Sequence, residues 1–153
     1  MKRVIVLLLV VFGFSVTFAQ SSAKKLSEYN LEKRVAIQGY DPVSYFKQNK
    51  AIKGKKEIFT TYDGVIYQFS SAANKETFLK SAASFEPQYG GWCAYAMGSV
   101  GEKVEINPET FKIIDGKLYL FYNAYFNNTL KSWNKEEISL KAKADANWKK
   151  IIK

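Results

Sequence analysis

Two Asp-Gly pairs, Asp63-Gly64 and Asp115-Gly116, each sit between short runs of alternating apolar residues. A two-residue hairpin turn needs positive φ at both central positions, which Asp and Gly tolerate far better than most pairs. The chain is therefore committed to two antiparallel hairpins, over Ile58 to Phe69 and over Phe111 to Leu120. In the first, Ile58, Thr60 and Tyr62 share a face with Val65, Tyr67 and Phe69. A helix is expected after each hairpin, over Ala72 to Ala82 with Phe78 and Leu79 turned inward, and over Ala124 to Trp133. Shifted by 52 residues, Phe59, Asp63, Gly64, Tyr67, Phe69, Ala72 and Thr77 coincide with Phe111, Asp115, Gly116, Tyr119, Phe121, Ala124 and Thr129. This fits an internal duplication. It also fits the general likeness of any two Asp-Gly hairpins with inward aromatics, and the sequence does not choose between them.

The remaining segments are read from caps and periodicity. Lys2 and Arg3 precede an apolar run from Val4 to Val16, and Thr17-Phe18-Ala19 offers small residues at the last and third-last positions. This pattern predicts a signal peptide over 1–19, cleaved before Gln20, and no transmembrane anchor afterwards, which places the mature chain in the periplasm or outside the cell. Residues 20–34 read as a polar leader. Val35 to Gly39 reads as a short strand. Asp41 before Pro42 reads as a helix start, because the carboxylate can cap free amides and proline has no N–H to leave unsatisfied there. At the C-terminus, Asn134 with Glu137 resembles a capping box, and Ile138, Ala142, Trp148 and Ile152 recur near helical spacing. Hairpins with interspersed helices and a C-terminal helix predict one compact α+β domain over 35–153.

Composition removes whole classes of chemistry. The chain has no histidine and one cysteine. Without histidine, Ser-His-Asp and Cys-His catalysis are excluded in their usual form. A single cysteine cannot close an internal disulfide. The net charge of +9 includes Lys2 and Arg3, so the chain from Gln20 carries +7. Arg34 is its only arginine. Because arginine dominates bidentate phosphate and base recognition, nucleic acid is not an expected partner.

The candidate site is the segment around the cysteine, Tyr89-Gly90-Gly91-Trp92-Cys93-Ala94-Tyr95-Ala96-Met97. The glycine pair lets backbone approach a neighbour closely. If Trp92 to Met97 is helical, Cys93 and Met97 share a face at i and i+4. Three uses stand open. Cys93 and Met97 can be soft core residues. Tyr89, Gly90, Gly91, Trp92, Cys93 and Tyr95, with Tyr45 and Asp41, can line a pocket for a small ligand. Or Cys93 and Met97 can hold a soft metal such as copper, for which thiolate and thioether are suited ligands. No paired carboxylates suggest acid–base work. Asp63 and Asp115 are explained by their turns.

The run Asp41-Pro42-Val43, then Tyr62-Asp63-Gly64-Val65-Ile66-Tyr67-Gln68-Phe69-Ser70-Ser71-Ala72-Ala73-Asn74, then Phe78, resembles the YHS domain family. The resemblance covers about residues 35–90. It implies a hairpin running into a helix. Metal-associated members place cysteines where this chain has Ser70 and Asn74, and often where it has Ser44. Serine and asparagine do not replace thiolate in a zinc or copper site. Tyr89 to Ala94 and Gly116 to Asn123 are similar to an exported, cysteine-poor branch. The resemblance implies an exported, non-enzymatic binding domain for a small ligand or protein partner, without a cofactor. Copper delivery through Cys93 and Met97 is the alternative.

Overall fold

The computed structural model describes residues 22–153; the signal peptide expected over 1–19 lies outside them. Residues 22–28 form helix α1. Strands β1 (Leu31–Glu32) and β2 (Val35–Ala36) follow, then a 3-10 turn (Ile37–Gly39), helix α2 (Pro42–Lys47) and hairpin β3 (Lys55–Tyr62)–β4 (Val65–Phe69). Helices α3 (Ala72–Lys80) and α4 (Ala82–Phe85) lead to a second 3-10 turn (Gln88–Gly91), helix α5 (Ala94–Ser99) and hairpin β5 (Asn107–Ile114)–β6 (Lys117–Phe121). A small ribbon, β7 (Asn123–Ala124)–β8 (Asn127–Asn128), precedes helices α6 (Thr129–Trp133) and α7 (Glu137–Ile151). The fold is α+β in one domain. Its larger sheet runs β1-β2-β4-β3, antiparallel except for the parallel pair β2–β4.

The two hairpins share one register, position for position. In the first, Tyr62 faces Val65, Thr60 faces Tyr67, and a bulge separates Phe59 from the Lys55–Phe69 pair. In the second, Ile114 faces Lys117, Lys112 faces Tyr119, and a bulge separates Phe111 from the Asn107–Phe121 pair. Every partner is displaced by the same 52 residues.

The likeness extends well upstream of the hairpins. Val35 bridges Ile66 in parallel, and Pro87 bridges Leu118 in parallel. Ile37, Gln38 and Gly39 have positive φ, as do Tyr89, Gly90 and Gly91. The Asp41 N–H donates to Ile52 O at 2.8 Å, and the Cys93 N–H to Val104 O at 2.9 Å. Asp41 caps α2, and Cys93 occupies the same place before α5. Two unrelated Asp-Gly hairpins would not share the turn, helix and crossing strand that precede them. The chain is a structural repeat.

The halves pack alike. Phe78 lies against Tyr67 and Phe69 at ring-centroid distances of 4.8 and 5.2 Å. Trp133 lies against Tyr119 and Phe121 at 5.9 and 5.5 Å. One cluster is built around Val43, Tyr45, Tyr67, Phe69 and Phe78; the other around Met97, Tyr119, Phe121, Trp133 and Leu140.

Several local expectations are corrected. The strand expected over Val35 to Gly39 stops at Ala36, because the next three residues turn left-handed. Leu79 is half exposed, since only Phe78 of that pair faces the hairpin. The helix expected from Ala124 begins at Thr129, and the β7–β8 ribbon stands in its place. Asn134 ends α6 instead of capping α7. Helix α7 buries Leu140 and Ala144 and leaves Ile138 88% exposed, so its core face is turned from the one read in the sequence. The segment read as a polar leader packs on the domain. Lys25 bonds to Asp63 at 2.8 Å and Glu86 at 2.9 Å, and Leu31 pairs with Ala36. Burial alone would lower the Lys25 pKa, but the two carboxylates outweigh it and the net shift is upward.

Candidate functional site

The residues singled out by sequence divide into two kinds, those used for packing and those that border a groove. Asp41 is fully buried. Its Oδ1 accepts from Val43 N at 2.9 Å, and its Oδ2 accepts from Ser70 N at 2.8 Å, Ser70 Oγ at 2.6 Å and Asn74 Nδ2 at 2.7 Å. A buried carboxylate needs this many donors to replace its hydration. Ser44, the third position where the YHS resemblance implies cysteine in metal-associated members, lies within hydrogen-bond distance of Asp41 O and Lys50 O, at 2.7 and 2.9 Å. Ser70 and Asn74 are thus spent on holding Asp41, and Ser44 on two carbonyls beside it. Tyr45 is also fully buried; its hydroxyl donates to Pro108 O at 2.9 Å and its ring meets Phe111 edge-on.

Of the glycine pair, Gly90 is used for close packing. A Cβ on Gly90 would lie 2.7 Å from the Tyr29 ring and 2.9 Å from Trp148, so any side chain there would push α1 and α7 away. Tyr89 is buried and donates its hydroxyl to Asp145 at 2.8 Å. Trp92 donates its indole N–H to Glu28 O at 2.7 Å. These positions fasten the N- and C-terminal helices to the middle of the chain.

Cys93 is fully buried. Its Sγ accepts from Tyr122 N at 3.3 Å and lies 3.5 Å from Thr129 Oγ1. The Thr129 hydroxyl already donates to Tyr122 O at 2.8 Å. With that hydroxyl hydrogen committed to Tyr122 O, an S–H on Cys93 can donate to Thr129 Oγ1, and the sulfur has hydrogen-bond partners within the fold. The Ser70 N–H at Asp41 and the Tyr122 N–H at Cys93 come from equivalent positions, so the thiol fills the carboxylate's place in the second half. Met97 donates its N–H to Cys93 O in the helical bond, but its side chain packs in the Trp133 cluster while Cys93 packs in the other. The i, i+4 spacing does not bring the two sulfurs into one packing environment. Among the described residues, no three Cys, His, Asp or Glu side chains are grouped to hold a metal ion.

An open groove of about 320 Å³ runs over Cys93. Tyr95, Ser99, Val100, Val104, Tyr122 and Asn127 form much of its lining. Among the described residues, no charged side chain lines it. The β7–β8 ribbon stands beside it and carries Tyr125 and Phe126 at its tip, 92% and 112% exposed. Both have positive φ, at 50° and 64°. Such a turn is comfortable for Asn-Gly and costs strain for two aromatic residues. The first half has no counterpart to the ribbon: there Ser71 caps α3 two residues after β4 ends.

Of the eight sequence candidates, Cys93 and Tyr95 border this groove. Gly91 lies in the positive-φ turn, and the others lie in the packing contacts already described. Sequence reasoning missed Val104, Tyr122, Tyr125, Phe126 and Asn127. The available signal was Tyr125-Phe126 between asparagines, which the helical reading of Ala124 to Trp133 concealed. No family profile, curated protein or solved structure matches the chain.

Proposed function

We propose that this chain is an exported, non-enzymatic binding domain of the YHS type, periplasmic or secreted, and that the groove over Cys93 with its aromatic ribbon is the surface that takes a small ligand or a partner. The observation that carries this is the pair Tyr125 and Phe126. They are held in strained backbone, out in solvent, beside an uncharged groove, on an element that only one half of the repeat possesses. Aromatic side chains presented this way give large contact area for few frozen torsions. Strain of this kind persists when something other than stability selects it. The burial of Cys93 against Tyr122 and Thr129, the absence of histidine and the packing of Cys93 and Met97 in different clusters favour binding over catalysis or copper delivery.

The test is a screen of small neutral compounds against isotope-labelled protein, followed by amide shifts. Binding compounds are expected to move Tyr95, Ser99, Val104 and Thr129, and to lose affinity at least about tenfold in a Tyr125→Asn, Phe126→Gly double variant that stays folded. Shifts that gather elsewhere, or affinity untouched by the double variant, would refute the assignment.

A further inference from the structure

The two halves of the repeat differ most in charge, and at one equivalent stretch. From the end of α2 into β3 the chain carries Lys47, Lys50, Lys53, Lys55 and Lys56, with Glu57 as the only acid. All five lysines are exposed. The matching stretch, from the end of α5 into β5, carries Glu102, Glu105 and Glu109 against Lys103 alone. Both stretches have the same backbone course and the same bulged register. The fold therefore does not require lysine there. Guarding an open strand edge is the usual reason for lysine on β3; where β3 has Lys55 and Lys56, β5 has Asn107 and Pro108, and proline guards an edge as lysine does, so edge protection covers those two lysines at most and leaves Lys47, Lys50 and Lys53.

Among the described residues none of the five is ion-paired. Lys47 donates to Thr77 Oγ1 and Lys53 to Gln38 O, while Lys53 also lies 4.7 Å from the Tyr40 ring centroid. Phe59, on the same strand, is 48% exposed. The cluster has no arginine, so it offers point charges without the planar forks that read individual phosphates or bases. Point charges on a stretch of chain that also exposes an apolar ring three residues on, at Phe59, suit a diffuse anionic surface into which such a ring can dip.

We infer that the Lys47–Lys56 face docks this protein on an anionic phospholipid surface. The inference is independent of the groove and its ligand. It is tested by titrating the mature chain with vesicles containing about one third phosphatidylglycerol in phosphatidylcholine, and with pure phosphatidylcholine vesicles, in low and in physiological salt. The patch variant is Lys50→Glu, Lys55→Glu, Lys56→Glu. A charge-matched control is Lys143→Glu, Lys149→Glu, Lys150→Glu on exposed positions of α7. Binding is expected to the anionic vesicles only, to weaken with salt, and to fall more than about 100-fold in the patch variant but less than tenfold in the control. Circular dichroism checks that both variants keep the fold. No binding by the wild type, or equal loss in the two variants, would overturn the inference. So would tight patch-dependent binding to a soluble sulfated polysaccharide with none to vesicles.

Discussion

Asp41 and Cys93 occupy one structural position twice and satisfy it differently. The carboxylate collects four donors, two of them side chains, and stands at the head of α2. The thiol accepts from one backbone N–H and shares a hydrogen bond with one hydroxyl. Removing the first leaves several buried donors without partners, each costing about 1–3 kcal/mol. Removing the second leaves mainly a small void. Asp41→Ala is thus expected to cost about 3–5 kcal/mol, and Cys93→Ala about 1–2 kcal/mol. Denaturant unfolding of both variants checks the order, and a Cys93→Ala cost equal to that of Asp41→Ala would mean that the thiol carries more than packing. The role of Asp41 was partly legible, since Asp-Pro announces a helix cap. That Ser70 and Asn74 turn toward it was not, because nothing in the sequence brings the end of β4 and the start of α3 to the α2 terminus.

At the scale of elements, the hairpins were legible and the segments after them only in part. Asp63-Gly64 and Asp115-Gly116 dictate their turns locally, so the register beside each turn followed from the sequence, while the bulges that pair Phe69 with Lys55 and Phe121 with Asn107 did not. Tyr125-Phe126 has no such local preference. Its left-handed turn is imposed by Asn123 pairing with Asn128 and Ala124 with Asn127, and by Asn128 capping α6. Helix α7 was misread for a related reason. Ile138 has the right spacing for a core position but meets no neighbour, whereas Leu140 and Ala144 meet α5 across Gly98, where a Cβ would sit 2.5 Å from Leu140 O. The glycine-rich segment was read as a site because glycine signals close approach; what approaches is the protein's own Tyr29 and Trp148. The ribbon offers a direct measurement. Replacing Tyr125-Phe126 by Asn-Gly relieves two strained positions, each worth about 1 kcal/mol. The double variant is expected to melt a few degrees higher while losing ligand. A lower melting temperature would show that the aromatics serve the fold and would remove the main support for the proposed site.

Across the whole molecule, ionisation of tyrosine sets the upper pH limit. Burial raises the hydroxyls of Tyr45, Tyr67 and Tyr89 far above their ordinary range, helped at Tyr67 by Glu86 and at Tyr89 by Asp145. Burial, with Glu86 nearby, pushes Tyr29 up to about 12. These four groups tie α1, α2, α4 and α7 to the two hairpins, so the shifts span both halves. A tyrosine whose folded pKa lies above its unfolded value of about 10 binds its proton more tightly when folded. Its contribution to stability is complete below pH about 10 and is lost as pH rises through and beyond that value. Lys25 adds in the same direction, because its pKa is also raised by Asp63 and Glu86 against the opposing effect of burial. Stability is therefore expected to stay level on this account through neutral pH and to fall steeply above pH about 10. Exposed tyrosines such as Tyr125 should ionise first without structural change, and the tyrosinate absorbance of the buried four should appear together with loss of helical signal in one cooperative step. Full tyrosine ionisation in a chain that keeps its helical signal would show that these hydroxyls are open to solvent, and would contradict the packing that joins the two halves.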